Sequence, residues 1–145
     1  MAAVSDRAVN LAFLEGHAAV LVCHGPKSTD AAKEVAKAVR SRSLDPKDPI
    51  IASIVDLRAM GGIWRKVAEA QIKSSYAKLA EKVPAGHDPA DHILICPDWD
   101  GAVCLALGAV NADREPLAVV VGPNGLVKQT VTGPGLGEKV VGLLG

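Results

Sequence analysis

Strand and helix patterns alternate along the chain. The apolar run AAVLVC at 18–23 is typical of a strand buried on both faces. Ser28, Thr29 and Asp30 then offer helix-capping side chains, and apolar residues recur at helical spacing as far as Val39. Further elements are predicted as a strand at 49–57, a long helix from Ile63 to Val83, a strand at 92–96, a short helix at 100–109, strands at 116–121 and 126–131 around the turn GPNG, and a helix at 137–144. This order predicts parallel strands joined by right-handed crossovers, followed by an antiparallel hairpin.

The composition restricts the functions that such a chain can serve. Its 145 residues suit one domain, 1–145, with residues 1–17 as an N-terminal extension. Only 3% of the residues are aromatic although 49% are apolar, so the core is aliphatic. Sixteen basic residues balance sixteen acidic ones, which argues against general binding to nucleic acids or anionic membranes. No apolar stretch approaches the ~20 residues of a membrane span, and the N-terminus lacks the order of a secretory signal.

The three cysteines, Cys23, Cys96 and Cys104, are odd in number and widely spaced. This usage predicts reduced thiols in a cytoplasmic protein rather than a disulfide framework. We interpret Cys96 and Cys104 as core residues. Cys23 ends the first strand beside a helix start, so it is either a small core residue or a nucleophile activated by His24 or Lys27.

Three segments carry a resemblance to known proteins: VLVCHGPK, ILICPDWDGAVCLALGA and EPLAVVVGPNGLV. They resemble the thioredoxin-like superfamily, most closely its branch of peroxiredoxins and TlpA-type proteins. VLVCHGPK (20–27) resembles the strand and active-site turn of thioredoxin, and ILICPDWDGAVCLALGA (93–109) resembles a peroxiredoxin strand that ends at Asp before a short helix. EPLAVVVGPNGLV (115–127) resembles the strand and hairpin that follow the family's cis-proline, which would be Pro116 here. The resemblance implies a three-layer α/β sandwich. Its central sheet would be mostly parallel, with a C-terminal antiparallel hairpin and helices on both faces.

The chain departs from these relatives at the residues that do their chemistry. His24 and Lys27 stand where the resemblance places the two redox cysteines, around Gly25-Pro26. Because exchange of a disulfide needs two thiols within bonding distance, dithiol chemistry at this turn is excluded. The peroxiredoxin turn P-x-x-x-[TS]-x-x-C is also missing after Pro26. If the family's strand order holds, Cys96 lies two strands from Cys23, which argues against a disulfide between them.

His24 is open to several interpretations. It could be an exposed turn residue, a general base, a ligand of a metal or haem, or a group that binds an anion beside the helix start. His17, His87 and His92 show no metal-binding spacing with it, so no metal site and no cofactor is expected.

Two further features have a structural and a functional interpretation. Asp98 and Asp100 could hold Mg²⁺ or act as acid and base, but a P-D-x-D-G run more often forms a turn and caps a helix at Asp100. Trp99 between them is either a lid over the core or a recognition surface. The helix Ile63–Val83 has an apolar stripe and a lysine-rich face, so it is either a plain crossover helix or a docking surface, and any homodimer is expected to use it.

Three hypotheses of function remain. The first is a redox-inactive protein that binds a protein or peptide partner, or a small ligand, at a surface made by His24, Gly25, Pro26, Lys27, Trp99, Glu115 and Pro116. The second is a thiol oxidoreductase or antioxidant protein that uses Cys23 alone as its nucleophile. The third binds a metal or haem through Cys23 and His24. The missing thiols favour the first.

Overall fold

The computed structural model describes residues 18–41, 50–60, 62–81, 94–124 and 126–144. The extension 1–17 and the histidines at 17, 87 and 92 lie outside these residues. The elements are β1 (Ala19–His24), α1 (Thr29–Arg40), β2 (Ile50–Asp56), α2 (Gly62–Ala80), β3 (Leu94–Asp98), α3 (Ala102–Ala106), β4 (Leu117–Val121), β5 (Val127–Thr132) and α4 (Leu136–Leu144). The predicted alternation of strands and helices is therefore confirmed in the described part of the chain.

Five strands form one sheet in the order β3-β2-β1-β4-β5. β1 pairs with β2 and β2 with β3 in parallel, whereas β4 is antiparallel to both β1 and β5. Four of the five strands thus run in one direction, and the hairpin β4-β5 extends the sheet as predicted. β1 is the central strand, so the turn that follows it opens at the middle of the sheet.

Alternate side chains of each central strand enter two different cores. On one face, residues 19 and 23 of β1 join residues 50, 52 and 54 of β2 and residues 117, 119 and 121 of β4. On the other face, residues 20 and 22 pack with residues 51, 118 and 120. Successive residues of a strand point to opposite sides, so a strand buried on both faces must be apolar throughout. This burial on both faces explains why the run AAVLVC contains no polar residue.

Helices cover both faces of the sheet. α1 and α4 pack together over β1 and β4 through Val35, Val39 and Val140. α2 lies on the same face, over β2 and β3, where Ala68 and Ile72 meet Val55. The short α3 covers the opposite face with Cys104. Within the described residues, no helix is both long enough and apolar enough to cross a membrane.

Two predicted elements differ from the structure by two or three residues at their ends. β3 continues through Pro97 to Asp98, because it is an edge strand, where a proline costs no inner hydrogen bond. α3 spans five residues rather than ten, and Gly101, at φ 72°, precedes it. Asp98 holds the start of this helix, because its carboxylate accepts hydrogen bonds from the Cys104 N–H at 2.8 Å and the Val103 N–H at 3.4 Å.

The contact between α1 and α4 depends on the absence of a side chain at Gly137. A Cβ there would lie 2.9 Å from the Glu34 carbonyl oxygen and 2.9 Å from the Ala38 methyl group. The Gly137 N–H also donates to the Glu34 carboxylate at 2.7 Å, which fixes the start of α4 on α1. The two helices are therefore closely packed at this point.

We predict that Gly137→Ala lowers the free energy of unfolding by about 1–3 kcal/mol, because backbone atoms of α1 must move to admit the methyl group. Gly142 lies in the same helix with nothing near its would-be Cβ, so Gly142→Ala should instead stabilise by about 0.5–1 kcal/mol. Urea denaturation of both variants measures the difference. Equal effects would contradict the close approach.

Candidate functional site

The turn His24–Lys27 closes on itself and on a second loop. The Gly25 N–H donates to the Ser28 hydroxyl at 2.9 Å, and that hydroxyl donates to the Ala112 carbonyl at 2.9 Å. The Ser28 N–H donates back to the Gly25 carbonyl. The loop 109–116, which leads into β4, is thereby attached to the start of α1.

Asp113 contacts this turn, and the sequence did not predict it. Its carboxylate accepts a hydrogen bond from the Lys27 backbone N–H at 2.8 Å, beside the start of α1. It also lies directly over Gly25, where any Cβ would collide with it. The only sequence signal is an acidic residue shortly before Pro116, which gives no hint of this partner. The Asp113 carboxylate therefore already accepts the hydrogen bond that the Lys27 N–H would otherwise donate to an incoming ligand.

His24 is a buried, neutral histidine with a fixed tautomer. Its side chain is 2% exposed, and Nδ1 lies 2.9 Å from the Gly25 carbonyl oxygen. Because a carbonyl can only accept, Nδ1 holds the proton and Nε2 keeps its lone pair. Burial lowers the pKa of His24 from its usual 6.5, against smaller raising effects of the bond to Gly25 and of the Asp113 carboxylate. Among the described residues Nε2 meets no hydrogen-bond partner.

His24 lies at one end of a cleft of about 600 Å³ between α1 and α2. The floor is formed by β2 and β3 through Ser53, Val55 and Ile95, and Pro26 lies at the same end as His24. In sheets with parallel strands, ligands commonly bind at the carboxyl ends of the strands, and the cleft reaches these ends at His24 and Val55. The cleft is therefore the candidate functional site, with His24 as its most buried polar group.

Cys23 lies on the other side of the sheet from this cleft. It is fully buried, in the core under α3, where cross-strand pairing aligns it with Ile54 and Cys96. Its thiol contacts that of Cys104, whose pKa is raised by that contact and then by burial. The interpretation of Cys23 as a nucleophile beside His24 is not supported, because adjacent strand residues point to opposite faces.

The same geometry opposes a shared metal site. Cys23 and His24 cannot reach one ion from opposite faces of the sheet. The Asp98 carboxylate is buried and accepts the Cys104 N–H of α3, and the Asp100 carboxylate accepts the Ala102 N–H at 3.1 Å. These contacts favour the interpretation of the two residues as a turn and helix cap over that as a Mg²⁺ or acid–base pair. In the part of the chain that the structure describes, no three His, Cys, Asp or Glu side chains converge as metal ligands.

Solved structures share this fold, although no family model and no curated protein matches the chain in sequence. The exposed lipoprotein thioredoxin Etrx1 of Streptococcus pneumoniae is 13% identical at a TM-score of 0.63, covering 99% of this chain and 95% of that one. StoA of Bacillus subtilis is 14% identical at a TM-score of 0.64, and the match covers 100% of this chain and 94% of StoA. A secreted disulfide oxidoreductase of Mycobacterium tuberculosis is 16% identical at 0.59, covering 97% and 92%. The fold is thioredoxin-like.

Two of the predicted site residues lie next to the turn, and one does not. Cys23 pairs with Leu117 across the antiparallel strands, so the next positions, His24 and Pro116, lie opposite each other. Glu115 is exposed beside Pro116. Trp99, in contrast, packs with the cluster under α2, and the Arg65 guanidinium lies 5.2 Å from its ring centre. It serves as a lid over this core, beyond β2 from the turn.

We predict that His24 makes the stability of the protein sensitive to acid. Below pH 6.5, the usual pKa of histidine, the unfolded chain binds a proton at His24 more readily than the folded chain does. The free energy of unfolding therefore falls as the pH falls. His24→Asn keeps a donor near the Gly25 carbonyl but cannot titrate. Urea denaturation between pH 7.5 and 5 should therefore show a loss steeper in the wild type, by at most ~1.4 kcal/mol per pH unit. The other three histidines are present in both proteins, and parallel curves would contradict a buried neutral His24.

Proposed function

We propose that this protein is a binding protein with a thioredoxin-like fold that performs no dithiol exchange, and that it receives its ligand beside the turn His24–Lys27. The observation that supports this most directly is His24 itself. A buried imidazole takes the place that the resemblance gives to a redox thiol, and His24 lines the cleft between α1 and α2. We also propose a cytoplasmic location, where free thiols such as these three persist.

A small ligand in the cleft fits this surface better than an extended peptide. A peptide that docked on the turn would need backbone groups there, but the Lys27 N–H is already bonded to Asp113. Pro116 lines a separate hollow of about 230 Å³ between α1 and α4, so α1 stands between Pro116 and the cleft. A peptide at Pro116 would therefore lie in this hollow and not in the cleft.

A thiol oxidoreductase is the second candidate, favoured by one contact. The thiols of Cys23 and Cys104 meet in the core, and the structural neighbours include a disulfide oxidoreductase. Both thiols are nevertheless fully buried, and the raised pKa of Cys104 keeps its thiol protonated. A protonated, inaccessible thiol neither attacks a disulfide nor reacts with peroxide at a useful rate.

Labelling with iodoacetamide separates the two candidates. Burial raises the pKa of Cys96 to about 11, so at pH 8 its thiolate fraction is about 0.1% against about a quarter for a free thiol. We predict that all three cysteines of the native protein react at least ~100-fold more slowly than glutathione, and that insulin reduction by dithiothreitol is not accelerated. In guanidinium chloride all three should react at the free rate. Fast native labelling of Cys23, or insulin reduction lost in Cys23→Ser, would establish the thiol enzyme instead.

We also propose a homodimer through the start of α2. Ile63 is 86% exposed, Trp64 59% and Val67 45%, so this turn leaves a cluster of large apolar side chains outside the core. Light scattering should give a dimeric mass for the wild type and a monomeric mass for Trp64→Ser. The matched control is Val110→Ser. Val110 is also exposed but lies in the loop between α3 and β4, so this variant should remain dimeric. A monomeric wild type would overturn the proposal.

A further inference from the structure

We infer that the cleft between α1 and α2 takes an uncharged, mostly apolar molecule that donates one O–H or N–H hydrogen bond to Nε2 of His24. The ligand class rests on the proposed function, since it specifies the small molecule that the cleft would bind. The observation behind it is a buried acceptor for which the described residues supply no donor.

The imidazole of His24 contains a hydrogen-bond acceptor that the protein leaves unused. The Gly25 carbonyl oxygen accepts the Nδ1 proton at 2.9 Å, so Nε2 has a lone pair and no hydrogen. His24 is 2% exposed, yet no group of the described residues donates to Nε2. Buried polar atoms are nearly always hydrogen-bonded, so an acceptor of this kind beside a cleft points to a missing partner.

The side chains next to this imidazole on the sheet contain no group that could donate. His24 pairs with Val55 of β2, and Pro116 lies opposite on its other side, one residue before β4 begins. Val22 precedes His24 on the same face of β1, because alternate residues of a strand share a face. A buried water typically makes about three hydrogen bonds, and these three apolar side chains offer it none. The surroundings of Nε2 therefore favour a ligand over a water.

The rest of the ligand would meet an apolar surface. The buried cluster beneath α2 consists of Val55, Leu57, Ala68 and Ile95, and it lines the same cleft as His24. A molecule that covers this cluster gains free energy of binding by removing apolar area from water. The cleft volume of about 600 Å³ is in the range of pockets that hold small molecules, so a ring with a short side chain fits.

A charged group is a poor partner for Nε2. A carboxylate has no proton to donate, so the lone pair of Nε2 repels it. An ammonium group could donate, but it would lose most of its hydration beside Val55 and Pro116. The Asp113 carboxylate is close enough to act on His24 electrostatically, so the test includes an ammonium probe. An uncharged hydroxyl or N–H group donates without the cost of burying an ion.

Long-range ¹H–¹⁵N spectra of the full chain at pH 7.5 test the acceptor before any ligand is added. We expect the His24 ring to hold its proton on Nδ1, with Nε2 unprotonated. His24→Asn identifies the two resonances, because they are the ones that disappear. A proton on Nε2 would overturn the inference, since the nitrogen proposed as the acceptor would then be a donor.

The probe is 4-ethylphenol, and 4-ethylanisole is its matched control compound. A methyl group replaces the hydroxyl proton in the anisole, so that it resembles the phenol in shape but cannot donate. The phenol is uncharged at pH 7.5, because the pKa of such a hydroxyl is about 10. We expect 4-ethylphenol to shift the Nε2 resonance of His24 and the amide resonances of Ser53 and Val55. Its Kd should be about tenfold lower than that of 4-ethylanisole, as one hydrogen bond in an apolar site predicts.

His24→Asn is the variant that removes the acceptor. Its amide can still donate to the Gly25 carbonyl, but nothing replaces Nε2, so the preference for 4-ethylphenol should fall below about twofold. The matched control variant is Ser53→Ala. Ser53 lies on the same face of the neighbouring strand, two residues before Val55, and its hydroxyl is lost while Nε2 remains. The preference should stay near tenfold there, and circular dichroism checks that both variants fold.

The outcomes separate this inference from the proposed function. Equal binding of the two probes by the wild type would overturn it, whether or not His24→Asn folds, because the hydroxyl proton would contribute nothing. Loss of the preference in Ser53→Ala but not in His24→Asn would also overturn it, since Ser53 would be the acceptor. If 2-phenylethylamine binds in the cleft more tightly than 4-ethylphenol, the uncharged class is wrong but the proposed small-ligand function stands. If no probe shifts the cleft resonances, this inference fails, while labelling of the thiols still decides the proposed function separately.

Discussion

The structure depends on the double burial of β1. As the central strand it must fill a core on each face, so its side chains alternate strictly between them. The same alternation separates the two chemically interesting residues at its end. Cys23 enters the closed core under α3, and His24 enters the open cleft between α1 and α2. Neighbours in sequence thus belong to different environments, and only the histidine is part of the candidate site.

The turn after β1 is satisfied by the protein itself. A turn before a helix exposes N–H groups that need acceptors, and a redox protein leaves some of them to its substrate or its thiolate. Here the Asp113 carboxylate accepts the Lys27 N–H, and the Ser28 hydroxyl accepts the Gly25 N–H. Gly25 makes this possible, because a Cβ would displace the Asp113 carboxylate. The internal acceptors of this turn are therefore consistent with the proposal that it performs no dithiol exchange.

The sequence predicted the fold well because the fold follows from periodicity. Continuous apolar runs marked the doubly buried strands, and the spacing from Ala31 to Val39 marked α1. The site was predicted only in part. His24 and Pro116 followed from the resemblance, but Asp113 contacts Lys27 across 86 residues, which no local pattern reports. Likewise the side of β1 that Cys23 faces could not be read from an unbroken apolar run, since such a run has no polar residue to mark its faces.

The helix α2 both covers the sheet and lines the cleft. Its apolar stripe was predicted to cover the sheet, and Ala68 and Ile72 do so, but Ile63, Trp64 and Val67 stay outside. Beside that stripe run Gln71, Ser75 and Lys78, which would each lose hydration if α1 packed against them. Polar side chains on this face keep their hydration only while α1 stays away from them, and Gln71 and Lys78 are exposed. The polar face of α2 and the open cleft between the two helices are therefore consistent with each other.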